Sequence, residues 1–356
     1  MSGRIDETSY SSRATGRGSG TRGQLTSILS KSYLFLVLVV IVIAGYFMSP
    51  HFLTIRNASN VIDYSSIIAL LAVGQFYVIL TGGIDLSVGA IVAFSTVVVA
   101  LLLRSGMEAF PASLITLLAC GCVGFGNGLL VVWVGITPFI ATLAMMSVMQ
   151  GLSYIIQSSS LIGIDNNVFV NGLSGTVGGV PMPVLIFVVI TIVAAFCSRY
   201  TMFGRRLYAI GGNSEAARLS GLPVSRDLLV TYGLSGLLAG LAGLLAAAQL
   251  MQGSSLIGRG YELDAIAAVV VGGASLMGGK GDPLSAVIGV FVLGIIVNIM
   301  NLAGISSEPQ LVIKGAVIIA AVFLSSAGGV ARITAAVSRV PGIARTGQKS
   351  DRVGAV

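Results

Sequence analysis

Charged side chains are scarce. Asp, Glu, Lys and Arg make up 9% of the 356 residues, where an ordinary soluble domain carries about 25%. A chain this poor in charge cannot cover its surface in water, which excludes a soluble enzyme or a secreted binding module. Regular alternation of polar and apolar residues is lacking too, and the long continuous apolar runs exclude a porin-type barrel. Histidine occurs once, at His51, and cysteine three times, at Cys120, Cys122 and Cys197. A zinc site wants four ligands, and no such set can be assembled, so metal-dependent intramembrane chemistry has no basis here. The three cysteines sit inside apolar stretches and read as packing thiols. What remains is apolar side chain, 55% of the residues, at a mean hydropathy of +0.97. The fold class is therefore all-α: a polytopic helical membrane protein.

The net charge of +7 follows the membrane, not a polyanion. Five basic residues precede position 32 (Arg4, Arg13, Arg17, Arg22, Lys31). Five lie between 199 and 226 (Arg199, Arg205, Arg206, Arg218, Arg226), and five follow 331 (Arg332, Arg339, Arg345, Lys349, Arg352). Clusters flanking apolar runs are the positive-inside signal. No basic face with interleaved aromatics exists, so nucleic acid is not a partner.

Residues 1–30, rich in Ser, Gly, Thr and Arg, read as a disordered cytoplasmic tail, and 329–356 as a second, basic cytoplasmic tail. The first is not a cleaved signal peptide, since the following apolar run is too long and no cleavage site closes it. The transmembrane domain covers 31–328. A membrane helix needs about 20 apolar residues, and the charge-free windows divide into about ten segments. These lie near 33–48, 61–80, 84–104, 113–134, 137–157, 182–198, 228–250, 262–277, 284–303 and 310–326. With the N-terminus in the cytoplasm, six spans bring 199–226 to the cytoplasm and four more bring the C-terminus there. All three basic clusters then share one side. Segments 84–104 and 262–277 are the least regular and read as full, broken or re-entrant helices. Gly82 to Gly89 (GGIDLSVG) echoes Gly272 to Gly279 (GGASLMGG), which points to two related halves, parallel or inverted.

Several motifs carry chemistry. The stretch Gly273 to Gly281 mimics a phosphate loop but fails it twice, with Ala274 at the first glycine position and Gly281 in place of the hydroxyl. The chain has no ATPase site of its own. In 199–226, Asn213 or Ser214 can cap a short helix through Glu215, Ala216, Ala217, Arg218 and Leu219, with Gly221 as a left-handed stop and Pro223 beyond it. Such a knob, with Ala216 and Leu219 on one face and arginines around it, is either a solvated loop helix or a shape for a groove on another protein. Before Asp85, Gly82 and Gly83 let the backbone bend, as Gly272 and Gly273 do in the echo. Asp85 itself, flanked by apolar runs, is a helix cap or a functional carboxylate. Asp63, Glu262 and Asp264 have weaker claims, being nearer the expected membrane surfaces. Gly233, Gly236, Gly240 and Gly243 share one helix face and suit close packing within the bundle, or a dimer seam.

These motifs together resemble the permease subunit of ATP-binding-cassette sugar importers, in the ribose, xylose, arabinose and galactoside branch. The resemblance rests on Tyr77 to Gly89 (YVILTGGIDLSVG), Gly126 to Leu129 (GNGL), Thr137 to Leu143 (TPFIATL), Tyr208 to Gly221, and Gly272 to Gly281. It covers roughly 33–327 and says nothing of the tails. It implies a homodimer in a bacterial plasma (inner) membrane. A separate cytoplasmic ATPase, holding ATP and Mg, would dock on the loop through Asn213 to Leu219 and Gly221. An extracytoplasmic sugar-binding protein would deliver the substrate. No cofactor would bind this chain. For a neutral polyol the pathway needs hydroxyl, amide and aromatic groups, and Asn127, Phe139, Thr142 and Asn298, with Asp85, are the expected lining. Thr137, Gln150 and Gln157 offer similar groups. Each also serves as an inter-helix hydrogen bond. A permease for branched-chain amino acids or nucleosides shares this hydropathy, and an ion-coupled secondary transporter would need Asp85 as its relay.

Overall fold

In hydrocarbon a backbone has no water to bond, so each apolar run must close its hydrogen bonds within itself. A computed structural model, describing residues 35–158 and 161–325, obeys this: thirteen helices carry the described chain, with four two-residue strands. Both sequence-predicted tails lie outside the described residues. The helices are α1 (Phe35–Met48), α2 (Ile55–Leu80), α3 (Val88–Arg104), α4 (Ala109–Val132), α5 (Pro138–Gln157) and α6 (Asn167–Ser174). They continue as α7 (Met182–Tyr200), α8 (Met202–Gly212), α9 (Ser214–Leu219), α10 (Val224–Leu250), α11 (Tyr261–Val271), α12 (Pro283–Leu302) and α13 (Ser307–Ser325). Each of the ten apolar segments falls on a helix. Six of them, α2, α4, α5, α7, α10 and α12, are long and apolar enough to cross a membrane unaided.

The two irregular segments are interrupted. Thr81 to Ser87 is not helical, and α3 starts only at Val88. The second segment is shorter than the sequence suggests: α11 stops at Val271, and its 11 residues rise only about 16 Å, half of a roughly 30 Å core. Residues 251–260 before it are non-helical, and β4 (Gln252–Gly253) there pairs antiparallel with β1 (Ile162–Gly163). The remaining hairpin joins β2 (Thr176–Val177) to β3 (Val180–Pro181).

The core is a pair of long helices, α2 and α10, packed side by side with α2 buried along most of its length. Gly74 of α2 lies against the backbone of Ser235. Small residues bring α10 equally close to α4: a side chain at Gly236 would collide with the Cys120 carbonyl and the Gly124 backbone. Gly240 faces Cys120 and Gly243 faces Ser95 in the same way, so this glycine face packs inside the bundle. Met149 is buried in the same core, with Met145 and Met146 packed on it.

At one end Leu80, closing α2, accepts from Gly279 N at 2.9 Å, and Tyr208 of α8 donates to the Gly281 carbonyl at 2.9 Å. Arg206 of α8 grips Asp227 in the first turn of α10. At the other end Asn57 of α2 and Asn298 of α12 exchange amide hydrogen bonds of 2.8 and 2.7 Å. The end of α2 therefore meets the start of α10, and the two run in opposite senses. Around them α2 packs on α11 and α12 as α10 packs on α3 and α4, and α13 lies on α11 as α5 lies on α3. In this scheme the echoing segments 82–89 and 272–279 are not equivalent junctions, since one precedes α3 and the other precedes α12. They meet in space instead, beside α8.

Candidate functional site

The knob at 213–221 forms as six residues of helix. Asn213 is its cap, accepting the Ala216 N–H at 2.9 Å, which satisfies one of the free donors of the first turn. Ser214 is the first helical residue. At the far end Gly221 adopts φ +79°, and Leu222 N returns to the Ala217 carbonyl at 3.1 Å, the closing pattern that a glycine in the left-handed region permits. Ala217 turns inward and is buried, while Ala216 and Leu219 face out, Leu219 with 76% of its surface exposed. Glu215 and Arg218 pair in two bonds of 2.6 and 3.0 Å. Those bonds hold the Glu215 carboxyl below its ordinary value. The pair is solvent-exposed and adds little to stability. It neutralises the rim of an apolar tip.

How firmly this tip is mounted is not legible in the sequence. The preceding helix, α8, is capped by Thr201 Oγ1, which accepts from Gly204 N. Its Arg206 places two nitrogens on the Asp227 carboxylate at 2.6 and 2.9 Å. Its last turn presses Gly211 directly on the backbones of Leu80 and Gly279, with no room for a Cβ. Gly278 sits over the same junction at φ +84°. Three backbones thus meet with no side chain between them. Through α8, α9 is thus joined to the end of α2 and to the loop between α11 and α12.

Near this junction, Gly82 (φ +82°) and Gly273 (φ +91°) take conformations that suit glycine. Gly83 lies under the Tyr232 hydroxyl, and Gly272 abuts the backbone of Ser285 and Ala286. The segment between α2 and α3 is then clamped from four helices. Asp85 is fully buried, and its carboxylate accepts from Ser87 N at 3.0 Å, Ser87 Oγ at 2.6 Å and Ser235 Oγ of α10 at 2.9 Å. Asn127 of α4 donates to Ser87 Oγ at 2.8 Å, and Thr142 of α5 accepts from Leu86 N at 3.1 Å. Gln75 of α2, in its better amide orientation, bonds the Asp85 backbone at both N and O. Three of the five expected pathway residues, Asp85, Asn127 and Thr142, are therefore one cluster that fixes a break in the fold. Phe139 is exposed on the outside of α5, and Asn298 is at the opposite end with Asn57.

Two cavities lie elsewhere. One, small and mostly apolar, borders Tyr64, Asp264 and Lys314. There Asp264 of α11 accepts from Tyr64 at 2.7 Å and from Lys314 of α13 at 2.9 Å. This three-helix tie was invisible in sequence because its partners are 200 and 50 residues from Asp264. The second cavity, of about 230 Å³, opens between α3, α5 and the start of α11, with Ser147, Gln150, Arg259 and Glu262 on its walls.

Residues 57–322 match the family described as the permease component of branched-chain amino acid transport systems. The chain belongs to this family. Among its relatives, the ribose import permease protein of Bacillus subtilis is 42% identical over 299 residues, spanning 83% of this chain and 93% of the relative. The D-allose transport system permease protein of Escherichia coli is 38% identical over 82% of this chain and 89% of the relative. The galactose/methyl galactoside import permease protein of Escherichia coli is 35% identical over 84% and 94%. No solved structure matches the chain. The permease is a multi-pass membrane protein of a transport family, and both the α8–α9 knob and the clamped Asp85 segment lie within the matched region.

Proposed function

We propose that the chain is the membrane-spanning subunit of an ATP-binding-cassette importer that carries a monosaccharide or related polyol. The three relatives above are named for ribose, allose and galactose transport and align along nearly their full length, which supports a sugar over the amino acids of the family description. The reading places a homodimer in the bacterial plasma membrane with both termini cytoplasmic. The chain crosses ten times as two inverted halves, α2 to α5 and α10 to α13. A cytoplasmic ATPase binds ATP and Mg, and an extracytoplasmic binding protein presents the sugar.

The observation that carries this reading is the mounting of α9. An apolar tip, capped at both ends and seated through Gly211 on Leu80 and Gly279, is a lever with a receiving end inside the bundle. Nucleotide-driven motion of a docked ATPase would reach the start of α3 through the 81–87 segment and the start of α12 through 272–282, switching the pathway between inward- and outward-open states. Gly82, Gly83, Gly272 and Gly273 are the hinges of that motion.

A charge at Ala216 tests it. Inside a groove the new carboxylate would be desolvated without a partner, at about 3 kcal/mol or more, over a hundredfold in affinity. Ala216→Asp is expected to lose the ATPase on pull-down and to lose uptake, with the amount of inserted permease unchanged. Ala14→Asp, far from the knob in sequence, serves as the control and changes nothing. Full retention of the ATPase and normal uptake by Ala216→Asp would mean that α9 is only a solvated loop helix.

A further inference from the structure

The five residues expected to line the pathway do not border the cavity between α3, α5 and α11, and what does border it is chemically better suited to a sugar. Its walls include Gly89 at the start of α3, Met146, Ser147 and Gln150 of α5, and Arg259 and Glu262 at the start of α11. Four observations converge on this cavity.

The first is its position. It lies where both interrupted segments begin their helices, between the two oppositely running sets. Neighbouring Ser87 is tied through Asp85 to Ser235, the twelfth residue of the 27-residue α10, so this level is close to mid-bundle. Irregular backbone at membrane depth is tolerated where it is buried in protein or lines a cavity. Transporter sites recur at such repeat junctions, beside discontinuous helices. The second is construction. Residues 251–260 are held in place against α3 and α5: Gln150 donates to the Ser255 carbonyl at 2.6 Å, Gln157 accepts from Ser255 N at 2.6 Å, and Thr96 donates to the Ser254 carbonyl at 3.1 Å. Gly258 and Gly89 pack backbone to backbone, and a Cβ at Gly89 would meet the Glu262 carboxylate.

The third is charge. In a chain with 9% charged residues, Arg259 and Glu262 face one cavity, and among the described residues neither forms an ion pair. Charges inside a membrane protein are costly and mark substrate paths; Arg259 is exposed, and half-buried Glu262 has, among the described residues, only the backbone N–H groups of Gly260 and of its own residue as partners. The fourth is the balance of groups. A carboxylate can accept from two neighbouring hydroxyls, a guanidinium supplies donors, Gln150 keeps its second amide hydrogen beyond the bond to Ser255, and Ser147, whose hydroxyl donates to the Leu143 carbonyl, offers an acceptor. The two charges cancel, so the walls suit a neutral ligand rich in hydroxyls.

We propose that this cavity is a transit site for the sugar, in which Glu262 and Arg259 bond the hydroxyls of a neutral monosaccharide ring as it passes between α5 and the start of α11. The proposal rests on the importer reading and specifies where in the chain that cargo is held.

The test uses the full complex of permease, ATPase and binding protein in liposomes, with Cys120, Cys122 and Cys197 replaced by alanine and Ser147→Cys as a probe. D-ribose, D-allose and D-galactose are first offered to the unmodified complex to find the one it carries. A small methanethiosulfonate reagent should label Ser147→Cys, and the carried sugar should slow labelling at least fivefold, while an uncarried one does not. Glu262→Gln, nearly isosteric, should raise the sugar concentration for half-maximal uptake or protection at least tenfold. No labelling, labelling indifferent to a sugar that the unmodified complex carries, or unchanged concentration dependence in Glu262→Gln would overturn the proposal and leave the importer reading intact. Carriage of leucine and of none of the three sugars would instead overturn the reading on which it rests.

Discussion

At Ser235 a single hydroxyl from α10 serves one oxygen of a carboxylate that water does not reach. The other Asp85 oxygen takes both of its donors from Ser87, two residues away. Removing the Ser235 hydroxyl leaves a buried carboxylate oxygen short of a donor, which costs about 1–3 kcal/mol. Ser235→Ala should therefore lower the midpoint of thermal unfolding of the purified permease by several degrees. Ser113→Ala, which deletes only a bond to the carbonyl four residues back in its own helix, should leave it within about a degree. Equal midpoints for the two variants would contradict the clamp. Asp85 could be singled out in the sequence because it stands alone between apolar runs. That Ser235 and Asn127 would be its neighbours could not, since they lie 150 and 42 positions away and nothing local selects them. The same separation hid Arg259 and the cavity it shares with Glu262, whose claim in the sequence is only that of a charge near the expected membrane surface.

Helix against helix, the permease depends on glycines that have lost the option of a side chain. A Cβ on Gly236 would come within 2.5 Å of the Cys120 carbonyl and 2.8 Å of Gly124 Cα, whereas one on Gly233 would meet only the Phe125 side chain at 3.9 Å. Gly236→Ala should force α10 and α4 apart and reduce the yield of folded permease severalfold, a cost of about 1–3 kcal/mol from overpacking. Gly233→Ala should be neutral or slightly stabilising, because alanine favours the helix. Similar yields for both would deny the close approach. The spacing of these glycines exposes a small-residue face in the sequence, yet which helix meets it depends on the fold. Element α9 shows the opposite case: its cap at Asn213 and its stop at Gly221 are set within a few residues, so the sequence locates both ends. Its mount, α8, went unread because Arg205, Arg206 and several glycines mask a helix that is held by Thr201 and by the Arg206–Asp227 pair. Segment 262–277 was over-extended for a related reason: apolar composition continues past Val271, while Gly272 and Gly273 end the helix.

Across the whole molecule, the ordering of ends connects fold to function. The end that carries α9 also gathers Gly82 and the 272–282 segment, and the opposite end gathers β1, β4 and the Asn57–Asn298 pair. Cysteines placed at Ser9, Ser214 and Ser350, in a chain without its native thiols, should all react only from the cytoplasmic side. Labelling of Ser350 from outside would mean an odd number of crossings, with α11 the first helix to suspect. The central claim is that ATP hydrolysed on a partner moves sugar through this chain. The most direct measurement is uptake of radiolabelled D-ribose, D-allose or D-galactose into liposomes containing permease and ATPase, with binding protein outside and ATP inside. The account predicts accumulation of one of these sugars that requires ATP and the binding protein and is indifferent to ionophores that collapse proton and sodium gradients. Accumulation driven by such a gradient through the permease alone, without ATP, would contradict it.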